Sequence, residues 1–409
     1  MTPTAVPRAT TPQAASPGAT TPQLIKQGMY GSAACALLLL LAVTSGTRTH
    51  RDAMEIIGRD TAPGIIAAQR VSASLAGMDA GAVNELLLYK DNQSHAAQKA
   101  FDDRRKEAAE VLIAAAENIR YDEERAPIRT LAFGLTSYSE QIQHALDSRP
   151  DSHSLDAYRG AASTMDETLL PAAQELDRAR RAVFDRTYAD QRKWSSAAML
   201  FLVLSSVALI GVLIALQVFL MRRTRRYFNP SLILATGLTF FSFFYFADSF
   251  TTADRELKIA KQDAFESIHV LWKARSAAYS ASAEESRARL DTAHAAQYQQ
   301  AFQQKMAQVD GFIADEMKNI TFPGESDAAN KAVTALALYE KTPQPATLDP
   351  FDQAVGETLQ INQSALEEAV KSGFDALDNM EIMASVICGA IALLALLGLV
   401  PRLREYTAA

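Results

Sequence analysis

The sequence has only two cysteines in 409 residues, Cys35 and Cys388. Both fall inside long apolar runs, so the polar parts of the chain have no disulfide and must be held by helix packing alone. Histidine is scarce too. The six (His50, His95, His144, His153, His269 and His294) are scattered, without the close His/Cys pairing of a zinc site. No Gly-rich phosphate loop and no Gly-x-Ser-x-Gly elbow occurs. The polar stretches hold few glycines and no alternating strand pattern. From these absences we expect no enzyme, no catalytic residue, no cofactor, no metal and no nucleic-acid partner.

What is present falls into two populations hidden by a near-neutral mean hydropathy. Polar stretches rich in Ala, Glu, Gln and Arg alternate with nearly pure apolar runs. A bilayer core about 30 Å thick needs roughly 20 apolar residues in a helix. Four uncharged runs meet that length: residues 28–47, 194–221, 227–247 (the span itself set at 230–247) and 382–400 (set at 381–400). The first is long for the core of a cleaved signal peptide and follows a 27-residue leader, so an uncleaved anchor is expected. Carriers place ionisable groups at mid-membrane; here the spans hold Cys35, Cys388 and Tyr245, with Tyr30 at the edge of the first, and the four runs contain no Asp, Glu, Lys, Arg or His.

Arg222, Arg223, Arg225 and Arg226 crowd the link between the second and third spans, residues 222–229. Short loops dense in Arg stay cytoplasmic, and Arg402 and Arg404 in the tail 401–409 agree. The expected layout is a multi-pass protein of the inner (cytoplasmic) membrane with both termini inside. Residues 48–193 and 248–380 then lie outside. The cytoplasmic pieces are too short for a kinase, so any catalytic output belongs to a partner. The basic loop anchors the topology; it could also touch anionic headgroups or dock a partner. Residues 1–27, rich in Thr, Pro, Ala and Ser, repeat Ala-Thr-Thr-Pro-Gln at 9–13 and 19–23 and should be disordered. Four Ser/Thr-Pro pairs there, at Thr2, Thr11, Ser16 and Thr21, could take phosphate.

Both outer segments read as helix almost throughout. Breaks are expected near 91–93, 118–121 and 148–151 in the first, and near 291, 319–325 and 342–350 in the second, leaving four helices in each. Asp151 and Asp349 stand where a carboxylate would cap a helix start. Pro63 should kink the first long helix or begin its outer half. Landmarks recur about 200 residues apart: Asn84-Glu85 with Glu284-Glu285, Asp91 with Asp291, Phe101 with Phe302, Tyr138 with Tyr339. The expected fold is an all-α membrane protein with four transmembrane helices and two extracytoplasmic four-helix bundles as a tandem repeat.

Within these helices a few polar groups fall on or near the apolar row that begins Leu257, Ala260, Ala264, Ile268, Leu271. Arg275, Glu284, Glu285 and Ser286 continue it, and Asp79, Asn84 and Glu85 occupy the matching place in the first repeat. A charge on a packing seam costs stability unless paired. These residues are therefore candidates for a ligand or partner site, against the plainer alternatives of an intra-bundle ion pair or a solvated face. Pro171 is a candidate hinge, or simply a kink or the first turn of a helix.

An ordered set of short motifs resembles the GlnX-type family of bacterial integral membrane proteins. It comprises Met78-Asp79-Ala80 with Asn84-Glu85-Leu86-Leu87, Asn118-Ile119-Arg120-Tyr121, and Leu169-Leu170-Pro171-Ala172-Ala173. It continues through Arg222-Arg223-Thr224-Arg225-Arg226 with Asn229-Pro230 and ends in Ala274-Arg275 with Glu285-Ser286-Arg287. It covers most of residues 50–291. The framing of helical outer domains by spans also resembles the sensor modules of chemoreceptors and histidine kinases. The resemblance implies a transducer between an extracytoplasmic solute-binding protein and a cytoplasmic Ser/Thr kinase, with a homo-oligomer expected. The alternatives are a non-switching membrane scaffold and an oligomeric channel.

Overall fold

The computed structural model describes residues 21–88, 94–117, 119, 121–149, 152–224 and 229–407. Every regular element among them is helical. Ala, Leu, Glu, Gln and Arg dominate the polar stretches, and such residues lose little conformational freedom in a helix. The chain runs α1 (Thr21–Met54), π1 (Glu55–Thr61), α2 (Ala62–Leu87), α3 (Ser94–Glu117), α4 (Asp122–Asp147), α5 (Ser152–Ser163), π2 (Thr164–Leu169) and α6 (Leu170–Thr224). It continues with α7 (Pro230–Lys258), π3 (Ile259–Phe265), α8 (Glu266–Leu290), α9 (Ala295–Lys318), α10 (Glu325–Lys341), α11 (Pro345–Ala376) and α12 (Met380–Thr407).

Two of the widened π turns end just before a proline. Pro63 and Pro171 lack an N–H, and each ring would press on the carbonyl four residues back. Those carbonyls, on Arg59 and Glu167, lie within π1 and π2, where the wider turn opens the backbone ladder. Pro63 thus sits in the first turn of α2, beginning the outer half of a helix that continues through it.

The chain divides into two compact units. One holds residues 1–46, 198–248 and 379–409. Four helices are long and apolar enough to cross a membrane, and their apolar runs fall here. Its surface is inverted relative to a water-soluble bundle. Leu37, Leu200, Leu204, Phe240, Phe241 and Leu397 are exposed while Ser205, Ser206, Thr239 and Ser242 are buried. The hydroxyl residues share the interior with Leu39, Leu202, Leu209, Leu213 and Leu232, because in hydrocarbon the helix contacts are set by packing and hydrogen bonds and not by hiding apolar surface. Thr239 donates to the Ala235 carbonyl at 2.8 Å, and Gln217 Nε2 to Thr236 Oγ1 at 2.9 Å.

The other unit holds residues 47–197 and 249–378 and has two apolar cores. Four helical stretches build the first: α2 with Leu75 and Val83, α3 with Phe101 and Leu112, α4 with Leu131 and Tyr138, and α5–π2–α6 with Tyr158, Leu169 and Leu176. The second takes α8 with Ile268 and Leu271, α9 with Val309, α10 with Leu336 and Tyr339, and α11 with Phe351 and Val355. Met54, Ile57, Ile65 and Phe184, from the first half of the chain, join this second core. Each fully buried side chain of this size contributes about 1.5–3 kcal/mol.

The breaks at 118–121, 148–151, 291 and 319–325 fall between helices as expected. Gly324 closes the last of these with φ +83°, a conformation glycine adopts without a Cβ penalty. Two boundaries differ. Helix α1 begins at Thr21, inside the stretch expected to be a disordered tail to residue 27; residues 1–20 lie outside the described residues. Helix α11 begins at Pro345, so Asp349 is inside it. Its start is closed instead by a reciprocal pairing of Gln344 and Thr347, with Thr347 Oγ1 accepting the Gln344 N–H at 3.1 Å. Asp151, and with it that capping expectation, lies outside the described residues.

Two carboxyls meet in the second half. Glu325 is fully satisfied: it accepts the Thr321 and Phe322 N–H groups at 2.6 and 2.9 Å and Asn362 Nδ2 at 2.6 Å. Glu316 is buried beside Ser267 and Glu325. Burial first, then the Glu325 charge, pushes its carboxyl up to about 7. The folded state therefore holds a proton that the unfolded chain releases at about pH 4.3. That stabilisation is complete below the unfolded value and is lost as pH rises through about 7. We expect the melting temperature of the purified protein to fall between pH 5.5 and 8.5. Glu316→Gln should flatten part of that fall and stabilise the protein at pH 8.5. An unchanged pH slope in the variant would overturn this account.

Candidate functional site

Helices α2 and α8 face one another along a polar seam. Gln69 Nε2 lies 3.3 Å from His269 Nε2, Ser72 Oγ 3.0 Å from Ser276 Oγ, and Ser286 donates to Asn84 Oδ1 at 2.7 Å. The sequence separations are 200, 204 and 202 residues, so the two helices run parallel and nearly in register. Alanines line both helices (Ala73, Ala76 and Ala80 on one; Ala274, Ala277, Ala278 and Ala281 on the other) and are buried. Small side chains let backbones come close, which brings short polar groups within hydrogen-bonding reach.

Arg287 is the hub of this seam. It leaves α8 with its side chain 2% exposed and enters the core of the first half. Nη2 donates to Asp79 Oδ2 at 2.6 Å. Nη1 donates to Asp166 Oδ2 and to Glu284 Oε1, both at 2.7 Å, and Nε to the Tyr158 hydroxyl at 3.0 Å. Tyr138 completes the shell by donating to Asp79 Oδ1 at 2.9 Å. Three carboxyls share one guanidinium, more negative charge than a buried site can hold. Burial, only partly offset by Arg287, raises the Asp79 pKa. Burial likewise, with Asp166 and Asp79 adding to it against Arg287, pushes Glu284 up to about 7. The cluster can store or release a proton near neutral pH. Four of the five Arg287 N–H donors go to protein groups.

The structure thus brings Asp79, Asn84, Glu284 and Ser286 to one seam. Arg275 and Glu285 go elsewhere. Arg275 forms a forked pair with Asp352 of α11, at 2.5 and 2.7 Å, and stacks over Trp272. Glu285 pairs with Arg289 one turn on. Glu85 is buried with Arg149 3.9 Å away. Pro171 is the second residue of α6, the first-turn placement. Arg222 and Arg223 close α6 and are exposed; Arg225 and Arg226 lie outside the described residues.

Sequence reasoning gave no site role to Arg287, Tyr138, Tyr158, Asp166 or Asp352. Glu284 and Arg287 stand three residues apart on a helix, a spacing shared with countless solvated surface pairs. Two histidine clusters were missed as well. Arg181 donates to His269 Nδ1 at 2.9 Å, which leaves the ring proton on Nε2, 3.1 Å from Asp177. Where α1, α6 and α7 approach their apolar runs, His50, Ser195 and Asp254 meet. Ser195 Oγ lies 3.0 Å from His50 Nε2 and donates to the Asp254 oxygens at 2.6 and 2.7 Å. This trio is not hydrolytic. A nucleophilic serine needs its proton taken by a histidine that the carboxylate orients from the other ring nitrogen. Here the carboxylate takes the serine proton itself and faces the same Nε2, at 3.3 Å. It ties three helices together. Among the described residues no group of three or more His, Cys, Asp or Glu could hold a metal ion.

Residues 53–189 match the family model of an actinobacterial sensor domain. The match points to a bacterial sensor protein. No curated protein and no solved structure matches the chain.

Removing Arg287 would strand two buried carboxyls. Arg287→Ala should destabilise the protein by about 3–5 kcal/mol, the cost of breaking a buried ion pair from one side. Arg289→Ala, at an exposed pair, should cost no more than about 1 kcal/mol. Denaturant unfolding followed by tryptophan fluorescence measures both; equal effects would contradict the hub assignment.

Proposed function

We propose that the protein is a membrane sensor that passes a signal across the bilayer and performs no catalysis itself. The observation that carries the proposal is helix continuity. Helix α6 runs unbroken for 55 residues, from Leu170 beside the Arg287 cluster to Thr224 at the far end of an apolar run, about 80 Å at 1.5 Å per residue. Helices α1–π1–α2 and α7–π3–α8 are likewise helical from an apolar run to the seam. The sensor-domain match fits between the first two spans. A shift at the seam would reach the membrane through helices that have no loop to absorb it.

In this proposal the outer unit is two four-helix bundles, tandem copies of one "span, four helices, span" module. The recurring 200-residue offset across the seam supports duplication. So does the position of π1 and π3, which begin at Glu55 and Ile259. Both termini and the Arg222–Arg223 end of α6 lie in the cytoplasm, with the bundles outside the inner membrane. The GlnX resemblance supplies the partners: a solute-binding protein outside and a Ser/Thr kinase inside, around a homo-oligomer. Signalling requires a partner or ligand that prefers one packing of the seam.

Crosslinking the tagged protein in cells and identifying what co-purifies tests the partners. A solute-binding protein together with a Ser/Thr kinase supports the relay; adequate coverage with neither overturns it. Switching is tested separately by Ser72→Cys with Ser276→Cys, replacing hydroxyls 3.0 Å apart across the seam. Oxidation should abolish signal-dependent kinase engagement and reduction restore it. Full engagement in the oxidised form would identify a static scaffold instead.

A further inference from the structure

Beside the seam, α2, α6, α8 and α9 line a cavity of about 360 Å³. That is room for about a dozen waters, near the lower end of small-molecule sites. Ser72 and Ser276 stand at its edge and Ala173 and Ala277 form apolar wall. The charged groups lining it are Asp177 and Arg178 from α6, Lys273 from α8 and Lys305 from α9. Asp177 is engaged by His269, and Arg178 Nε donates to the Gln174 carbonyl. The two lysines differ from these. Among the described residues neither ammonium makes an ion pair or a hydrogen bond, and both side chains are only partly exposed. Burial draws the Lys273 pKa below its usual value, and Arg181 adds to this against Asp177. A half-buried ammonium that closes no ion pair costs stability. The Asp177 and Glu266 charges offset this in part at Lys273, and the Glu284 carboxyl interacts with Lys305. Yet among the described residues neither lysine closes a salt bridge, and both line one cavity with a single lining carboxylate.

We propose that this cavity binds a small organic anion, its carboxylate or phosphate held by Lys273 and Lys305 and its polar remainder by Ser72, Ser276 and Gln69. The lining comes from both halves of the outer unit. An occupant would therefore draw α2 and α6 toward α8 and α9 and favour one spacing of the seam. What the binding is for rests on the sensing role proposed above; the binding itself does not.

The test is calorimetric titration of the purified full-length protein with succinate, citrate and inorganic phosphate in turn. At least one should bind saturably with a Kd below about 1 mM. Lys273→Ala and Lys305→Ala should each weaken it about tenfold or more. Neither variant should melt lower than wild type without ligand, since each removes an unpaired charge. Preference for a carboxylate or for phosphate identifies the anion class. If no probe binds, or if neither substitution weakens binding, the proposal is overturned and a protein partner remains the signal. If binding meets these criteria but the probe leaves in-cell partner crosslinking unchanged, the site stands and the sensing role fails.

Discussion

One guanidinium in the wrong core sets the register of the two halves of the larger unit. Arg287 belongs to α8 yet is solvated by Asp79, Tyr158 and Asp166, all from the first half of the chain. A buried charge tolerates no slippage, because one helical turn of displacement would leave it facing alanine. The alanine-lined faces of α2 and α8 could pack in several registers at similar cost. Arg287 selects one, and the Gln69–His269, Ser72–Ser276 and Asn84–Ser286 contacts form in that register.

A polar seam also behaves differently from a greasy one. Leucine interdigitation resists small shifts, whereas short hydroxyls and amides can exchange partners with water or a bound anion at modest cost. Near the apolar runs, the His50–Ser195–Asp254 trio ties α1, α6 and α7 together. The π turns before Pro63 and Pro171 mark the places where those helices are least regular.

Much of this was legible beforehand. The apolar runs, four of the helix breaks and the two-hundred-residue offset followed from pattern; Asp79, Asn84, Glu284 and Ser286 stood out as candidates, and the structure brings them to one seam. Asp349 misled because a carboxylate before an apolar run looks like a cap, while the side chains that close α11 are the less conspicuous Gln344 and Thr347. Arg275 was singled out correctly as a charge on a seam, but its partner Asp352 lies 77 residues away on another helix. The hub Arg287 was hidden by its neighbour Glu284, which makes it look like half of an ordinary surface pair.

The sequence alone determined the four apolar runs and the helical character of what lies between them. Both are local quantities: the transfer free energy of some 20 consecutive residues, and the propensity of each residue for helix. Only the tertiary structure decided which charges are buried, which carboxyls are pushed toward neutral pH and which lysines close no ion pair. Those depend on what neighbouring helices bring within 3–4 Å, and no local pattern in the chain encodes that distance.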